Sequence, residues 1–322
     1  MAMYGQGKTR GQVSLLGIDA ATNQACAALL PKPRIIPEFI YYYLYKQYEN
    51  LRNLANDGSQ RNLSAKLIKG FKVAICDADE QLKIADFLTA VDNKLTALRH
   101  KRELLQTYKR GMMQKLFSRA LRFKSDDGSE FPEWGEKRLG EITGWQSGGT
   151  PSKQDVSYWG GDIPWISAVS MYSDFLNDSE LKITDKGLAS GSRLAKEGSI
   201  LLLVRGSMLF KRIPVGMALR DVAFNQDVKA LTVENGVDCH FLLYWFKAHE
   251  NRLLSMVVGT GIGAGKLETG ELKALEVGIP HQKEQQKIAN FLSTIDVKID
   301  AVGQQIDRME TFKKGLLQKM FV

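Results

Sequence analysis

The chain has 322 residues and a formal net charge of +8, and its hydrophobic and charged fractions, 44% and 25%, are those of an ordinary globular protein. Its longest apolar runs, such as residues 200–204, are too short to cross a bilayer, and its first residues do not resemble a signal peptide. Three widely separated cysteines match no metal-ligand spacing, which predicts a reducing cytoplasm, while the shortness of the apolar runs predicts no membrane partner. The positive charge favours an anionic partner, nucleic acid before membrane.

The first long element of the chain is a predicted helix over residues 80–118, preceded by residues 1–79. Apolar residues recur in the helix at alternating steps of three and four. The central positions of this seam are Leu88, Val91, Leu95 and Leu98. A seam that repeats every ~3.5 residues over several heptads is typical of a coiled coil rather than of a lone amphipathic helix.

Residues 119–128 are polar and end in a turn signal, which predicts a linker. A domain over residues 129–283 follows the linker, and its length is ordinary for one globular unit. Short apolar segments bounded by glycine, proline or aspartate predict its strands. They are residues 163–169, 198–204, 213–219 and 227–233. A bulky apolar face predicts one helix at residues 241–256, so this domain is mixed α and β.

The end of the chain, residues 284–322, repeats the first long helix. Glu284 and the residues after it align without a gap with the segment that begins at Glu80, an offset of 204 residues (284 − 80). The second seam is Leu292, Ile295, Ile299 and Val302. A repeat of this length indicates two whole modules rather than a solenoid. Because neither long helix can bury its apolar seam alone, the two helices are predicted to pack on each other.

The globular modules are repeated in part. Asn23 aligns with Asn225 at an offset of 202 (225 − 23), and residues 39–45 align with residues 241–247. Counterparts of residues 122–202 are missing from the first module, so residues 1–79 are predicted to be the C-terminal part of a domain. The predicted fold class is therefore α+β, with two mixed α/β domains, the first one incomplete, joined by two long antiparallel coiled-coil-like helices.

Short motifs follow one another in a fixed order in the second module. They are FPEWGEKRLGEI at residues 131–142, SGGTPS at 147–152, IPWIS at 163–167, the pair Asn225-Gln226, and E-Q-x-K-I-A-x-F-L at the start of each long helix. In their order, spacing and duplication they resemble the specificity (S) subunit of a type I restriction–modification system, with the first target recognition domain truncated at its N-terminus. The resemblance covers essentially the whole chain.

The resemblance implies that residues 1–79 and 129–283 are target recognition domains that each read one half of a split site in double-stranded DNA. It implies that the long helices are spacers that set the gap between half-sites and dock methyltransferase (M) subunits. This chain is then a non-catalytic guide without a cofactor of its own. S-adenosylmethionine, ATP and Mg would belong to partner subunits, the M subunits and a restriction (R) subunit.

Candidate DNA contacts are polar loop residues beside basic ones, because cations bind phosphates and hydrogen bonds read base edges. Glycines among them permit close approach of the backbone to a phosphate. The candidates in the second domain are Gln146, Ser147, Gly148, Gly149, Thr150, Ser152, Ser167, Arg205, Ser207, Lys211, Arg212, Thr260 and Lys266. Those at equivalent loop positions of the first module are Lys8, Arg10, Gln60 and Arg61.

Several of these features also have structural interpretations. Residues 259–266 equally fit a flexible connection, and the basic residues within 205–212 fit ordinary surface charges. Asn225 and the glutamine that follows it are more typical of a turn before the next strand than of side chains that contact adenine. We interpret Trp159 and Trp165 as core residues rather than as platforms on which bases stack.

No catalytic signature is complete in this sequence. The segments GKT at residues 7–9 and GTGIGAGK at residues 259–266 both lack the first glycine of a phosphate-binding loop. Three functions stay open: a DNA-specificity subunit, a truncated S subunit, and an enzyme with an unrecognised site. The truncated subunit would act as an assembly partner or decoy, or would bind a second copy of itself to read a palindromic site.

Overall fold

The structure is a computed structural model that describes residues 1–5, 8–54, 62–261 and 263–321. The chain divides into two compact units. Unit 1 comprises Met1–Leu105 and Lys298–Val322, and unit 2 comprises Gln106–Val297. The division falls within both long helices, whereas the predicted domain boundaries place those helices outside the domains.

The helices and strands follow one another as below. The helices are α1 (Pro37–Lys46), α2 (Tyr48–Asn53), α3 (Ala65–Gly70), α4 (Ala78–Phe117), α5 (Asp185–Ala189), α6 (Cys239–Ala248), α7 (Glu250–Ser255), α8 (Thr269–Lys273) and α9 (Gln282–Met320). The strands are β1 (Gly135–Arg138), β2 (Thr143–Ser147), β3 (Trp159–Ile166), β4 (Phe175–Leu176), β5 (Lys182–Ile183), β6 (Arg193–Ala195), β7 (Ile200–Leu203), β8 (Arg205–Gly206), β9 (Val215–Ala218), β10 (Val222–Phe224), β11 (Val228–Val233), β12 (Val258–Gly259), β13 (Gly265–Lys266) and β14 (Glu276–Ile279).

The two long helices are confirmed, with boundaries within two residues of the predicted ones. In unit 1, Val91, Leu95 and Leu98 of α4 pack with Val302 and Ile306 of α9, and all five are buried. This cluster confirms that α4 and α9 pack on each other through the predicted seam. Three more seam residues, Leu88, Leu292 and Ile295, are also buried, whereas Ile299 is half-buried.

Ion pairs show that α4 and α9 run antiparallel in each unit. In unit 1, Asp92 of α4 accepts a hydrogen bond from Lys313 of α9 at 2.6 Å. In unit 2, Lys109 of α4 donates to Asp296 of α9 at 2.5 Å. Later residues of one helix therefore meet earlier residues of the other. The antiparallel pairing agrees with the predicted fold class.

The sequence repeat is also a repeat of side-chain contacts. In unit 1 the Gln81 amide donates to the Cys76 carbonyl at 2.8 Å, and in unit 2 its counterpart Gln285 donates to the Pro280 carbonyl at 2.9 Å. Phenylalanine pairs recur in the same way. They are Phe39 with Phe321 at 5.3 Å and Phe241 with Phe117 at 5.4 Å between ring centroids. An aromatic helix therefore meets the C-terminal end of a long helix in each unit: α1 meets the end of α9 in unit 1, and α6 meets the end of α4 in unit 2.

The described residues of unit 2 form four small sheets. Their strand orders are β1-β14, β5-β3-β10-β6, β2-β11-β7-β9-β4 and β12-β13-β8. The five-stranded sheet supplies the main core, because β7 and β9 are buried along their whole length and α6 packs with them. The mixed α and β composition predicted for this domain is confirmed.

Two predicted elements of unit 2 are wrong in extent. The helix predicted over residues 241–256 is divided at His249, whose backbone leaves the helical region (φ −101°, ψ 15°) and whose ring stacks on Trp245 at 4.5 Å. The strand predicted over residues 163–169 ends at Ile166, because Ala168–Ser170 form a 3₁₀ turn. The strands predicted near β7, β9 and β11 are confirmed.

Candidate nucleic-acid interface

Several chain segments that are distant in sequence meet at one end of the five-stranded sheet. Ser147, the last residue of β2, pairs with Lys229 of β11, and Leu203, the last residue of β7, pairs with Val228. Because neighbouring strands are antiparallel, the loops after β2 and β7 and the turn before β11 leave the sheet at the same end. We call residues 146–152, 205–212, Gln226, Lys229 and Lys266 the sheet-end surface.

Arg205 and Lys266 are paired across two strands. They lie opposite each other in β8 and β13, 61 residues apart in sequence (266 − 205). Residues directly opposite in an antiparallel pair project from the same face of the sheet, and both of these are exposed. The Lys266 ammonium also lies 2.6 Å from the Glu268 carboxylate, which neutralises part of its charge. The structure thus joins two of the predicted DNA contacts into one basic face.

In its described part, the segment 259–266 is a turn that is held by hydrogen bonds. The Thr260 hydroxyl donates to the Ala264 carbonyl at 2.8 Å, and the Thr260 amide donates to the same oxygen at 2.7 Å. The Leu267 amide donates to the Val204 carbonyl at 2.9 Å, which ties the hairpin to the end of β7. Thr260 therefore shapes the hairpin that presents Lys266.

The segment after β8 forms a 3₁₀ turn, Ser207–Phe210, on which Ser207 is exposed. Lys211, directly after the turn, is exposed as well. Arg212 differs, because its guanidinium donates to the Met171 carbonyl at 2.8 Å and is half-buried. Two of these three predicted contacts thus face solvent, whereas Arg212 also fastens a neighbouring loop.

The paired glycines after β2 lie against backbone. A Cβ atom on Gly148 would stand 2.2 Å from the Phe224 carbonyl oxygen, and one on Gly149 would stand 1.8 Å from the Gly191 carbonyl oxygen. The Gly149 amide donates to the Phe224 carbonyl at 2.9 Å. Close packing therefore gives both glycines a structural role, and their contact with phosphate stays a prediction.

The loop after β2 is connected to the turn before β11 through polar side chains. The Thr150 hydroxyl donates to Gln226 Oε1 at 2.6 Å, and the Lys229 ammonium donates to the Ser147 hydroxyl at 2.5 Å. Lys229 was missed by the sequence interpretation. Its signal is that it is the charged residue of β11, flanked by apolar Val228 and Ala230, which indicates a side chain on the outer face of the sheet.

The remaining predicted residues of unit 2 have mixed surroundings. Gln146 and Ser152 are exposed, and Ser152 accepts a hydrogen bond from the Gln154 amide at 3.3 Å. Ser167 is buried at the start of a 3₁₀ turn. The Asn225 side chain accepts from the Asp227 amide at 3.1 Å, which is the turn-forming role that the sequence favours.

Unit 1 gives less support to its predicted contacts. Lys8 is exposed, and its carbonyl accepts a hydrogen bond from the Tyr48 hydroxyl at 2.6 Å. The Arg10 guanidinium donates to the Arg52 carbonyl at 3.0 Å. Gln60 and Arg61 lie outside the described residues. The predicted contacts of this unit stay predictions.

Among the described residues, no cluster of three or more histidine, cysteine, aspartate or glutamate side chains has the geometry to hold a metal ion. Among the helices described, none combines the length and apolarity needed to cross a bilayer.

Comparison with known proteins identifies the family. The type I restriction modification DNA specificity domain matches residues 3–106 and 132–311. The chain is 26% identical over 279 residues to the EcoR124I/EcoR124II specificity subunit of Escherichia coli, covering 84% of this chain and 66% of that protein. It is 30% identical over 205 residues to the MjaIX specificity subunit of Methanocaldococcus jannaschii, covering 62% and 46%.

Solved structures agree with this fold. A type I restriction–modification S subunit from M. genitalium matches with a TM-score of 0.58 at 18% identity, over 90% of this chain and 74% of that one. A chain from a study of complex assembly and conformational transition of the type I R-M system matches with a TM-score of 0.56 at 16% identity, over 89% and 71%. Because the family model matches most of the chain, the chain belongs to the type I restriction–modification DNA specificity family.

Proposed function

We propose that this chain is a non-catalytic subunit that directs a type I restriction–modification complex to a DNA sequence. The observation that carries the proposal is the sheet-end surface, where loops distant in sequence converge beside Arg205, Lys229 and Lys266. A convergent polar surface with cations suits DNA, because cations position the phosphates while polar side chains distinguish base edges.

Unit 2 reads one half of a split site with this surface. Arg205 is the candidate for a guanine edge, because a guanidinium fork makes two parallel hydrogen bonds. Lys229 and Lys266 contact phosphates, and Gln146, Ser147 and Thr150 supply hydrogen bonds to bases. The chain has no part in the chemistry, which belongs to M and R subunits with S-adenosylmethionine, ATP and Mg.

The helix pair supports a second part of the proposal. A buried apolar seam joins α4 and α9 in unit 1, and a lysine–aspartate pair joins them in each unit, so the helix pair resists bending. We assign to it the roles of spacer between half-sites and platform for M subunits. Exposed residues of both helices outside the seam are available for that docking.

Selection from a library of random DNA duplexes tests the recognition role. The purified chain should enrich a short motif, and the double variant Arg205→Ala with Lys266→Ala should enrich it less. Enrichment of no motif by the intact chain, alone and with an M subunit present, would contradict the proposal. It would favour the alternative of an assembly partner or decoy.

A further inference from the structure

The three-stranded sheet β12-β13-β8 of unit 2 consists of two rows of residues that lie opposite one another across the strands. One row bears side chains, and its members are Val258, Lys266 and Arg205. The other row consists of Gly259, Gly265 and Gly206. Residues directly opposite in antiparallel strands project from the same face, so every side chain of this sheet comes from one row and one face. We call Val258, Lys266 and Arg205 the side-chain row.

The glycine row faces the interior of unit 2. A Cβ atom on Gly265 would lie 2.8 Å from Val257 Cγ1 and 3.0 Å from Leu209 Cβ, and Leu209 is fully buried in the main core. Successive residues of a strand project to opposite faces, so the side-chain row points away from this core. All three of its members are exposed, and Val258 is 49% exposed although it is apolar.

Hydrogen bonds fix the backbone on both sides of the side-chain row. On one side the Leu267 amide donates to the Val204 carbonyl at 2.9 Å, next to Lys266 and Arg205. On the other side, residues 260–264 close the hairpin between β12 and β13 through the hydrogen bonds described above. The three side chains are therefore presented at fixed spacings, which a surface that compares base pairs requires.

The dimensions of the side-chain row suit the major groove of B-DNA. Its two outer members, Arg205 and Val258, are two strand spacings apart, which is roughly 10 Å at ~4.8 Å for each spacing. The major groove is about 12 Å wide and admits a β-ribbon. Along the DNA axis, roughly 10 Å corresponds to about three base-pair steps of ~3.4 Å. The outer members of the row can therefore contact base pairs about three positions apart.

We propose that the side-chain row lies in the major groove and that Val258 recognises the C5-methyl group of a thymine. This inference rests on the proposed DNA-reading function of unit 2 and names one base that it reads. A valine side chain has no hydrogen-bonding group, whereas an apolar contact with the thymine methyl group distinguishes thymine from the other bases. Arg205 contacts a guanine about three base pairs away, and Lys266 reaches a phosphate with its long side chain.

Replacement of thymine by deoxyuridine tests this contact, because it removes only the methyl group. Each thymine of the motif that the full chain selects is replaced in turn, and the affinity is measured by fluorescence anisotropy of the labelled duplex. One replacement should weaken binding about threefold or more, since one methyl group loses its apolar contact. This thymine should lie about three base pairs from the position at which Arg205→Ala relaxes the preference for guanine.

Variants of Val258 assign the effect to this side chain. In Val258→Ala the same replacement should no longer change the affinity, whereas Val258→Ile should keep the difference between thymine and deoxyuridine. The matched control is Leu219→Ala, which should also keep it. Leu219 is a 44% exposed apolar residue after β9, and because β9 runs antiparallel to β7 it lies at the opposite end of the sheet from Arg205.

The outcomes separate this inference from the proposed function. A selected motif without thymine, or one in which no thymine responds to the replacement, would overturn the inference and leave the proposed function intact. A deoxyuridine effect of the same size in Val258→Ala would overturn it as well, because the methyl group would then contact another side chain. Selection of no motif by the full chain would overturn the proposed function and this inference with it.

Discussion

Lys109 Nζ lies 2.5 Å from Asp296 Oδ1 in unit 2, and this ion pair has a counterpart in unit 1. There, at the repeat offset of 204 residues, Lys313 Nζ lies 2.6 Å from Asp92 Oδ1. Each aspartate also accepts a tyrosine hydroxyl, from Tyr244 at 2.7 Å and from Tyr42 at 2.9 Å. The duplication thus conserves a complete polar network, which connects each aromatic helix to the helix pair.

Replacing Asp296 by alanine tests how much this network contributes. The variant removes the carboxylate that accepts from Lys109 and Tyr244. Burial, with a further contribution from Asp296, raises the pKa of Tyr244, so its hydroxyl stays protonated and loses its acceptor in the variant. We expect a loss of about 3 kcal/mol in the free energy of unfolding, measured by urea denaturation. Asp92→Ala should cost less, because Asp92 is 30% exposed against 17% for Asp296. An equal or larger cost for Asp92→Ala would refute this ranking.

Leu95→Asp tests the seam between the long helices. Leu95 is 3% exposed, so the variant puts a charge into an apolar cluster. We expect at least about 3 kcal/mol of destabilisation, more when combined with Ile299→Asp, and loss of association with M subunits. The matched control is Leu104→Asp on the same helix, where the side chain is 56% exposed. Unimpaired assembly of the double variant would rule out the packed rod.

Arg205→Ala and Lys266→Ala test the sheet-end surface. Each should weaken DNA binding, and loss of a phosphate contact should lower the slope of log affinity against log salt by about 1. Arg205→Ala should in addition relax the preference at one base position. The control is Lys101→Ala, an exposed lysine of α4. A salt slope unchanged from the wild type would remove both residues from the interface.

Gly149→Ala separates the structural from the recognition role of the glycine pair. The new methyl group would overlap the Gly191 carbonyl oxygen, so we expect about 2 kcal/mol or more of destabilisation by thermal or urea unfolding. At Gly144, within β2 itself, the nearest neighbour of an added Cβ would be 3.9 Å away. Gly144→Ala should therefore be tolerated. Normal stability of Gly149→Ala would show that the loop packs differently.

His249 gives the stability of the chain a pH dependence. Burial is the main cause that lowers the pKa of its ring in the folded state, and its Nδ1 lies 2.8 Å from the Trp245 carbonyl oxygen. The unfolded chain binds the proton more readily, so this contribution is present above the ordinary histidine pKa of ~6.5 and is lost as the pH falls below it. His249→Gln should flatten the decline in Tm between about pH 7 and 5.5. An identical decline in the variant would exclude His249 as its source.

The sequence predicts the long helices well because their signal repeats over five heptads, from Ile84 onward in the first copy. Buried strands such as β7 are also predictable, since four consecutive apolar residues between turn signals have few other uses. Strands β8 and β13 are not predictable. Each has two residues and no alternation, and their pairing depends on a contact between residues 61 positions apart (266 − 205).

The candidate site, too, could be predicted from the sequence only in part. The sequence marks Arg205 and Lys266 as loop cations, but only the register of the sheet shows that they share a face. Lys229 was overlooked because it lies within a strand rather than a loop. The break at His249 depends on the stacking of its ring on Trp245, which helical periodicity does not contain.

The central claim is that this chain chooses the DNA sequence on which partner subunits act. Its most direct test is a single-molecule methylome of cells that express the chain together with an M subunit. We expect methylated adenines within a split motif of fixed gap, which change or disappear in the double variant Arg205→Ala with Lys266→Ala. Absence of sequence-specific methylation, while the chain still co-purifies with the M subunit, would contradict it.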